Sequence, residues 1–170
     1  MIHDITVINQ MVKKGDIGDY IAYAEHAFDH RIWDIACDLR ANRHKTPIVL
    51  IAGPSSSGKT TFCRKLADTL NRMGIHAESI SLDDFYLPRE KSPRKKDGSY
   101  DFETVNALDL PELQRCFEEL VKTGKSQMPM FSFRLGRPKE ERKQVVMDKD
   151  TIVLVEGMHA LSDKVAKHMP

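Results

Sequence analysis

Pro47-Ile48-Val49-Leu50-Ile51-Ala52, followed at once by Gly53-Pro54-Ser55-Ser56-Ser57-Gly58-Lys59-Thr60, is the stretch on which the fold turns. Its first six residues are apolar, with no polar alternation, which is the pattern of a short strand buried on both faces. The next eight satisfy G-x-x-x-x-G-K-[ST], a motif that gains meaning only between a strand and a helix. That helix is predicted over Lys59 to Met73, with Phe62, Leu66, Leu70 and Met73 on one face and Gly74 placed to end it. In such a loop the backbone N–H groups turn inward and the helix start adds its partial positive charge. Lys59 then reaches the terminal phosphates, and the Thr60 hydroxyl is available to Mg²⁺. The stretch from Gly53 to Thr61 therefore predicts an ATP or GTP site.

Two further stretches, Ala77 to Leu82 and the apolar run Thr151 to Val155, read as strands, so strand, helix and strand alternate as in a parallel α/β sheet. The second strand delivers Asp83-Asp84-Phe85-Tyr86 and the third delivers Glu156-Gly157. In a parallel sheet those C-terminal ends share one edge, where ligands bind. Phosphoryl transfer needs a phosphate cradle, a metal to offset charge, and a group that orients the nucleophile and accepts its proton. A carboxylate after the second strand suits the last role, and one after the third suits the metal.

Upstream, Ile17, Ile21, Ala24, Phe28, Ile32, Ile35 and Leu39 recur at spacings of three and four, predicting a long helix that opens near Asp16 or Asp19. It is either a helix that covers the core or a dimer seam, since a seven-residue repeat suits both. A helical extension over 1–46 and a P-loop domain over 47–170 follow. Between the strands, Arg89 to Tyr100 reads as a loop and Asp109 to Lys122 as a helix. Met128 to Phe133 with Gln144 to Met147 reads as a hairpin.

Composition narrows the function classes. Lys and Arg total 26 against 25 Asp and Glu, giving a net charge of +1, so the broad positive field used by nucleic-acid binders is not expected. The apolar runs fall far short of the roughly 20 residues of a membrane helix, and the first ten residues lack a leader pattern. Cys37, Cys63 and Cys116 fall outside any C-x-x-C spacing, which points to reduced thiols in the cytoplasm. His26 and His30 stand four apart but lack a third ligand at a recognisable spacing. Arg89 to Lys96, the densest basic stretch, reads as a solvated flap near the substrate mouth, and His159 as a loop or helix-start residue. An N-K-x-D guanine reader and an L-S-G-G-Q transporter signature are both absent from the sequence.

IAGPSSSGKTTF, SLDDFYLPRE, DGSYDFETVNALDL, MPMFSFRLGRP and VLVEGMHAL, in this order, resemble the uridine kinase and phosphoribulokinase family of P-loop kinases, over about residues 47 to 162. The pattern is most similar to bacterial uridine kinase-like nucleoside kinases, in which a helix like Ile17 to Arg40 precedes the P-loop. The resemblance implies a kinase-type P-loop NTPase fold, three-layer α/β/α, with ATP and Mg²⁺ as cofactors and a nucleoside such as uridine or cytidine phosphorylated on its 5′-hydroxyl. It implies Asp83 as the catalytic base and Thr60 and Glu156 as metal ligands with Asp83 nearby. Glu103 then binds the ribose hydroxyls, and Tyr86 and Phe102 line the nucleoside pocket. Where the family reads the pyrimidine with a Tyr and a His, this chain has Phe131 and, by counting, Gly136, so a ring contact remains at Phe131 without the polar reading of the base. The family's Arg-rich lid helix is expected after the E-G strand, where this sequence has only Gly157 to Pro170. The chain is therefore expected to be a fragment, with an unpaired position beside Ile48 to Ile51 covered by Leu161 to His168, by a partner chain or by nothing. Open alternatives are a kinase of another sugar or small alcohol and a nucleotide-binding module without turnover, and a homo-oligomer is compatible with each.

Overall fold

A computed structural model of the chain describes residues 4–169. Its elements run α1 (Ile5–Lys14), α2 (Ile17–Asn42), β1 (Ile48–Ala52), α3 (Lys59–Arg72), β2 (Ala77–Ser81), α4 (Leu110–Thr123), β3 (Lys125–Met128), β4 (Phe131–Ser132), β5 (Arg137–Pro138), β6 (Lys143–Val146), β7 (Ile152–Gly157) and α5 (Asp163–Ala166). Among the described residues no helix is long and apolar enough to cross a membrane.

β7 is the middle of a three-stranded parallel sheet, with β1 on one side and β2 on the other. All six of its residues are buried, as its unbroken apolar run requires. The register sets Ile51 opposite Glu156 and Ser81 opposite the same Glu156, so all three strands end together. β1 pairs with β7 alone among the described residues and forms one edge of the sheet.

Two apolar layers close on this sheet. On one face Ile32, Ala36 and Leu39 of α2 pack with Leu66 and Leu70 of α3 against Ile152 and Leu154. On the other, Leu113, Phe117 and Leu120 of α4 pack with Ile80, Val153 and Val155. Val165 of α5 is buried in this second layer, and Ile48, Leu50 and Met169 pack against it, while Leu161 stays exposed. The result is the α/β/α arrangement expected of a P-loop protein.

The N-terminal helix and the hairpin region add detail to the sequence reading, and the second corrects it. α1 buries none of its side chains; it is held locally, by Asp4 accepting from the Thr6 amide at 2.8 Å and by Gly15 at its end. The single hairpin expected over Met128 to Phe133 and Gln144 to Met147 is two: β3 pairs with β6 and β4 with β5, both antiparallel. Pro129 has no N–H to give a ladder, and it divides the run.

The β3–β6 pair is tied to α4 through Glu112. Both Arg115 Nε and Nη2 donate to it at 2.8 Å, and Arg142, just before β6, donates to the same carboxylate. These bonds, Arg115's first, hold the Glu112 carboxyl at about 2, below its usual 4.5. Because the folded-state value is depressed, the stabilisation is present above pH 4.5 and is lost as pH falls toward 2. Glu112→Gln is expected to cost about 2 kcal/mol at pH 7, and the difference from wild type should shrink across that window. Urea midpoints measured against pH check both points.

Candidate active site

The loop leaving β1 closes tightly on itself. A Cβ on Gly53 would lie 2.8 Å from Ser57 Oγ and 3.2 Å from Lys59 Cγ, so a side chain there would push both of them aside. The Ser57 amide donates to the Pro54 carbonyl at 3.2 Å, and Lys59 Nζ donates to the same carbonyl at 2.9 Å. Ser56 and Gly58 both have positive φ, and α3 starts at Lys59 with a glycine cap that leaves its first amides uncovered by a side chain. A tight glycine-bearing loop that opens directly into a helix start, with an ammonium held against it, is the kind of arrangement that can take a phosphate.

The strand ends supply the oxygens. Glu156 is 7% exposed, and its Oε1 accepts from Thr60 Oγ1 at 3.2 Å and from Ser81 Oγ at 3.0 Å. The structure thus joins Thr60 to Glu156 and adds Ser81, which the sequence reading passed over inside a strand. Two hydroxyls around a carboxylate are hard oxygen donors of the kind Mg²⁺ takes when phosphates complete its shell. No group of three or more His, Cys, Asp or Glu suited to a metal gathers among the described residues.

A 3₁₀ turn, Leu82–Phe85, follows β2 and separates the two neighbouring aspartates. Asp84 Oδ1 accepts from the Phe131 amide at 2.9 Å and anchors β4, whereas Asp83 lines a cavity of about 260 Å³. Burial raises the Asp83 carboxyl above its ordinary value, the Glu156 charge raises it further, and Lys59 and His159 oppose the rise. His159 lies in the turn after β7 with its Nε2 buried and without a hydrogen-bond partner among the described residues.

The rest of that cavity is aromatic, formed by Tyr86, Phe102, Phe131 and Phe133 with Ser55, Arg89 and Gly136. Tyr86 stands 6.0 Å from Phe131 and 6.4 Å from Phe133 between ring centroids, and its hydroxyl donates to the Phe102 carbonyl at 3.1 Å. Burial raises the Tyr86 phenol, with smaller contributions from the Asp83 and Glu103 charges. Glu103 stays exposed in the turn beside Phe102 and is not part of the cavity wall.

Arg89 is on that wall although its basic run reads as a solvated flap. Its amide donates to the Gly136 carbonyl at 2.8 Å and its Nη2 to the Phe133 carbonyl at 3.4 Å. A Cβ on Gly136 would lie 2.9 Å from Arg89 Nε, so the guanidinium takes the space a side chain at 136 would fill. The signal in the sequence is the glycine itself, in F-S-F-R-L-G-R-P, but nothing there says which side chain enters.

Residues 48–170 match the model of the Phosphoribulokinase / Uridine kinase family. The chain is 32% identical over 122 residues to a uridine kinase of Saccharomyces cerevisiae, covering 70% of this chain and 24% of that protein. It is 33% identical over 122 residues to a uridine kinase of Schizosaccharomyces pombe, covering 71% and 26%. It therefore spans about a quarter of the length of these curated relatives. A solved structure described as a possible uridine kinase from Bacillus stearothermophilus has the same fold, with a TM-score of 0.66 at 21% identity over 82% of this chain and 77% of that one.

Proposed function

The chain belongs to the phosphoribulokinase and uridine kinase family, and from that premise we propose that it transfers the γ-phosphoryl group of ATP to the 5′-hydroxyl of a nucleoside, uridine or cytidine. The observation that carries the reading is Asp83, a carboxylate of raised pKa on the wall of an aromatic cavity and within the field of the P-loop lysine. The backbone from Gly53 to Thr61, with Pro54, Ser55, Ser56 and Ser57 at its bend, cradles the phosphates, and Lys59 neutralises the terminal ones. Thr60 and Glu156, supported by Ser81, would hold Mg²⁺ near Asp83, and the ion when bound offsets phosphate charge. Asp83 accepts the hydroxyl proton as that oxygen bonds to the γ-phosphorus and the bond to the β-phosphate oxygen breaks, releasing ADP. Tyr86, Phe102 and Phe131 pack the base, and Glu103, exposed in the turn beside Phe102, would take the ribose hydroxyls. The P-loop domain of 47–170 carries this chemistry in the cytoplasm, with 1–46 as its helical extension. Phosphorus NMR of the product formed from uridine and Mg·ATP tests it: a monoester on the 5′-carbon supports the reading, and free phosphate alone refutes it.

Arg89 is compatible with the pyrimidine acceptor and with a second acceptor class. A guanidinium offers donors only, so the cavity wall at Gly136 calls for an oxygen without a proton, as in a pyrimidine carbonyl or the acid group of a small alcohol. Arg89→Met is expected to raise the acceptor KM about tenfold or more with kcat little changed. Gly136→Ala should act in the same direction, because its Cβ displaces the guanidinium. Steady-state kinetics with uridine, cytidine and small hydroxy acids check this and name the class.

A further inference from the structure

We propose that α2 builds the site for the nucleotide's base, with Phe28 as the ring on which the purine packs. The inference rests on the phosphate site described above and adds to it a wall from outside residues 48–170, the part that matches the family. A cleft of about 470 Å³ opens between α2 and the P-loop, lined by Phe28, by Phe62, and by the loop from Ser57 to Lys59 with Thr61. The Asp83 cavity touches the loop at its other end, at Ser55. In-line transfer puts the acceptor beyond the γ-phosphate, so the rest of the nucleotide leaves the cradle on the opposite side. This cleft meets the loop away from Ser55, at Ser57 to Lys59 and Thr61.

The α2 stripe gives the second reason. Phe28, Ile32 and Ala36 follow at steps of four; Ile32 and Ala36 are buried on the sheet layer, but Phe28 is 38% exposed. The apolar stripe thus runs one turn past the core and overhangs the loop. Phe28 is held in place there, its ring meeting Phe62 edge-on at 6.3 Å between centroids. Lys65 Nζ lies 5.3 Å from the same ring centroid and is itself tied to Asp29 Oδ1 at 2.5 Å. A fixed aromatic ring with part of its surface open, beside a phosphate cradle, provides what a nucleobase needs, since every base has a face that can stack on such a ring.

Calorimetric titration with Mg·ATP and with Mg·tripolyphosphate separates the base from the phosphates. The wild-type protein is expected to bind ATP about tenfold more tightly than tripolyphosphate. Phe28→Ala should remove that advantage and leave tripolyphosphate affinity unchanged, which also reports an intact fold, while Phe28→Trp should retain it. The proposal is overturned if wild type binds the two ligands equally, if Phe28→Ala leaves ATP affinity intact, or if it weakens both alike. Binding of neither ligand would instead bring down the phosphate-site reading, and this inference with it.

Discussion

Asp83→Asn is expected to lower acceptor-dependent ADP release by about 10³-fold with little change in the KM for ATP. Asparagine keeps the shape of the side chain and its place on the cavity wall but cannot take the hydroxyl proton. Because burial and the Glu156 charge raise the Asp83 carboxyl, the wild-type rate should climb with pH through a midpoint above the ordinary aspartate value of 3.8. The same substitution should stabilise the fold. A carboxyl raised in the folded state contributes stability that is complete below its unfolded value and lost as pH rises through the folded one, so at pH 7 the charged Asp83 costs stability. A higher thermal midpoint for Asp83→Asn at pH 7, together with a collapsed rate, is the expected pair of results. A lower midpoint would mean that the carboxylate has a stabilising partner.

Lys59→Met is expected to lower kcat/KM by about 10²–10³-fold, the size of effect found when a preorganised positive group facing developing phosphoryl charge is removed. Lys59 Nζ is held over the loop by the Pro54 carbonyl at 2.9 Å, so its charge is already in place before transfer. It also opposes the rise of the Asp83 carboxyl. Its removal should therefore move the acid limb of the pH–rate profile to higher pH, an effect that a mere loss of nucleotide affinity would not give. Single-turnover rates against pH in the variant and the wild type separate the two explanations.

What the sequence made legible follows from local signals. β1 and β7 are short apolar runs, β2 is a short stretch that ends in the Asp83-Asp84 turn, α3 is a one-faced helix with a clear stop, and the P-loop between β1 and α3 marks the loop end of the sheet. The order of the strands was less accessible, because the last strand in the chain pairs between the first two, and pairing at that separation leaves no local trace. The single hairpin divides at Pro129, where one missing N–H outweighs the apolar pattern on either side of it. α1 falls within the expected helical extension of 1–46, but its separation from α2 at Gly15 is set by a local cap and not by packing.

The site divides in the same way. Thr60, Asp83 and Glu156 fall at strand or loop ends that a parallel sheet must gather, whereas Ser81 and Arg89 depend on tertiary contact. Ser81 reaches Glu156 only because β2 and β7 run in register, and Arg89 reaches the cavity only because Gly136, 47 positions away, leaves room for it. Asp83 and Asp84 are equivalent as letters. The Phe131 amide decides between them, by occupying Asp84 and leaving Asp83 to the cavity.

The most direct test of the account is acceptor-dependent ADP release from Mg·ATP across nucleosides, small sugars and hydroxy acids, on the wild-type protein and on Asp83→Asn. Release stimulated by uridine or cytidine and abolished by the substitution is the predicted result. ATP binding with no acceptor able to stimulate release would contradict it, and would leave a nucleotide-binding module without turnover in place of a kinase.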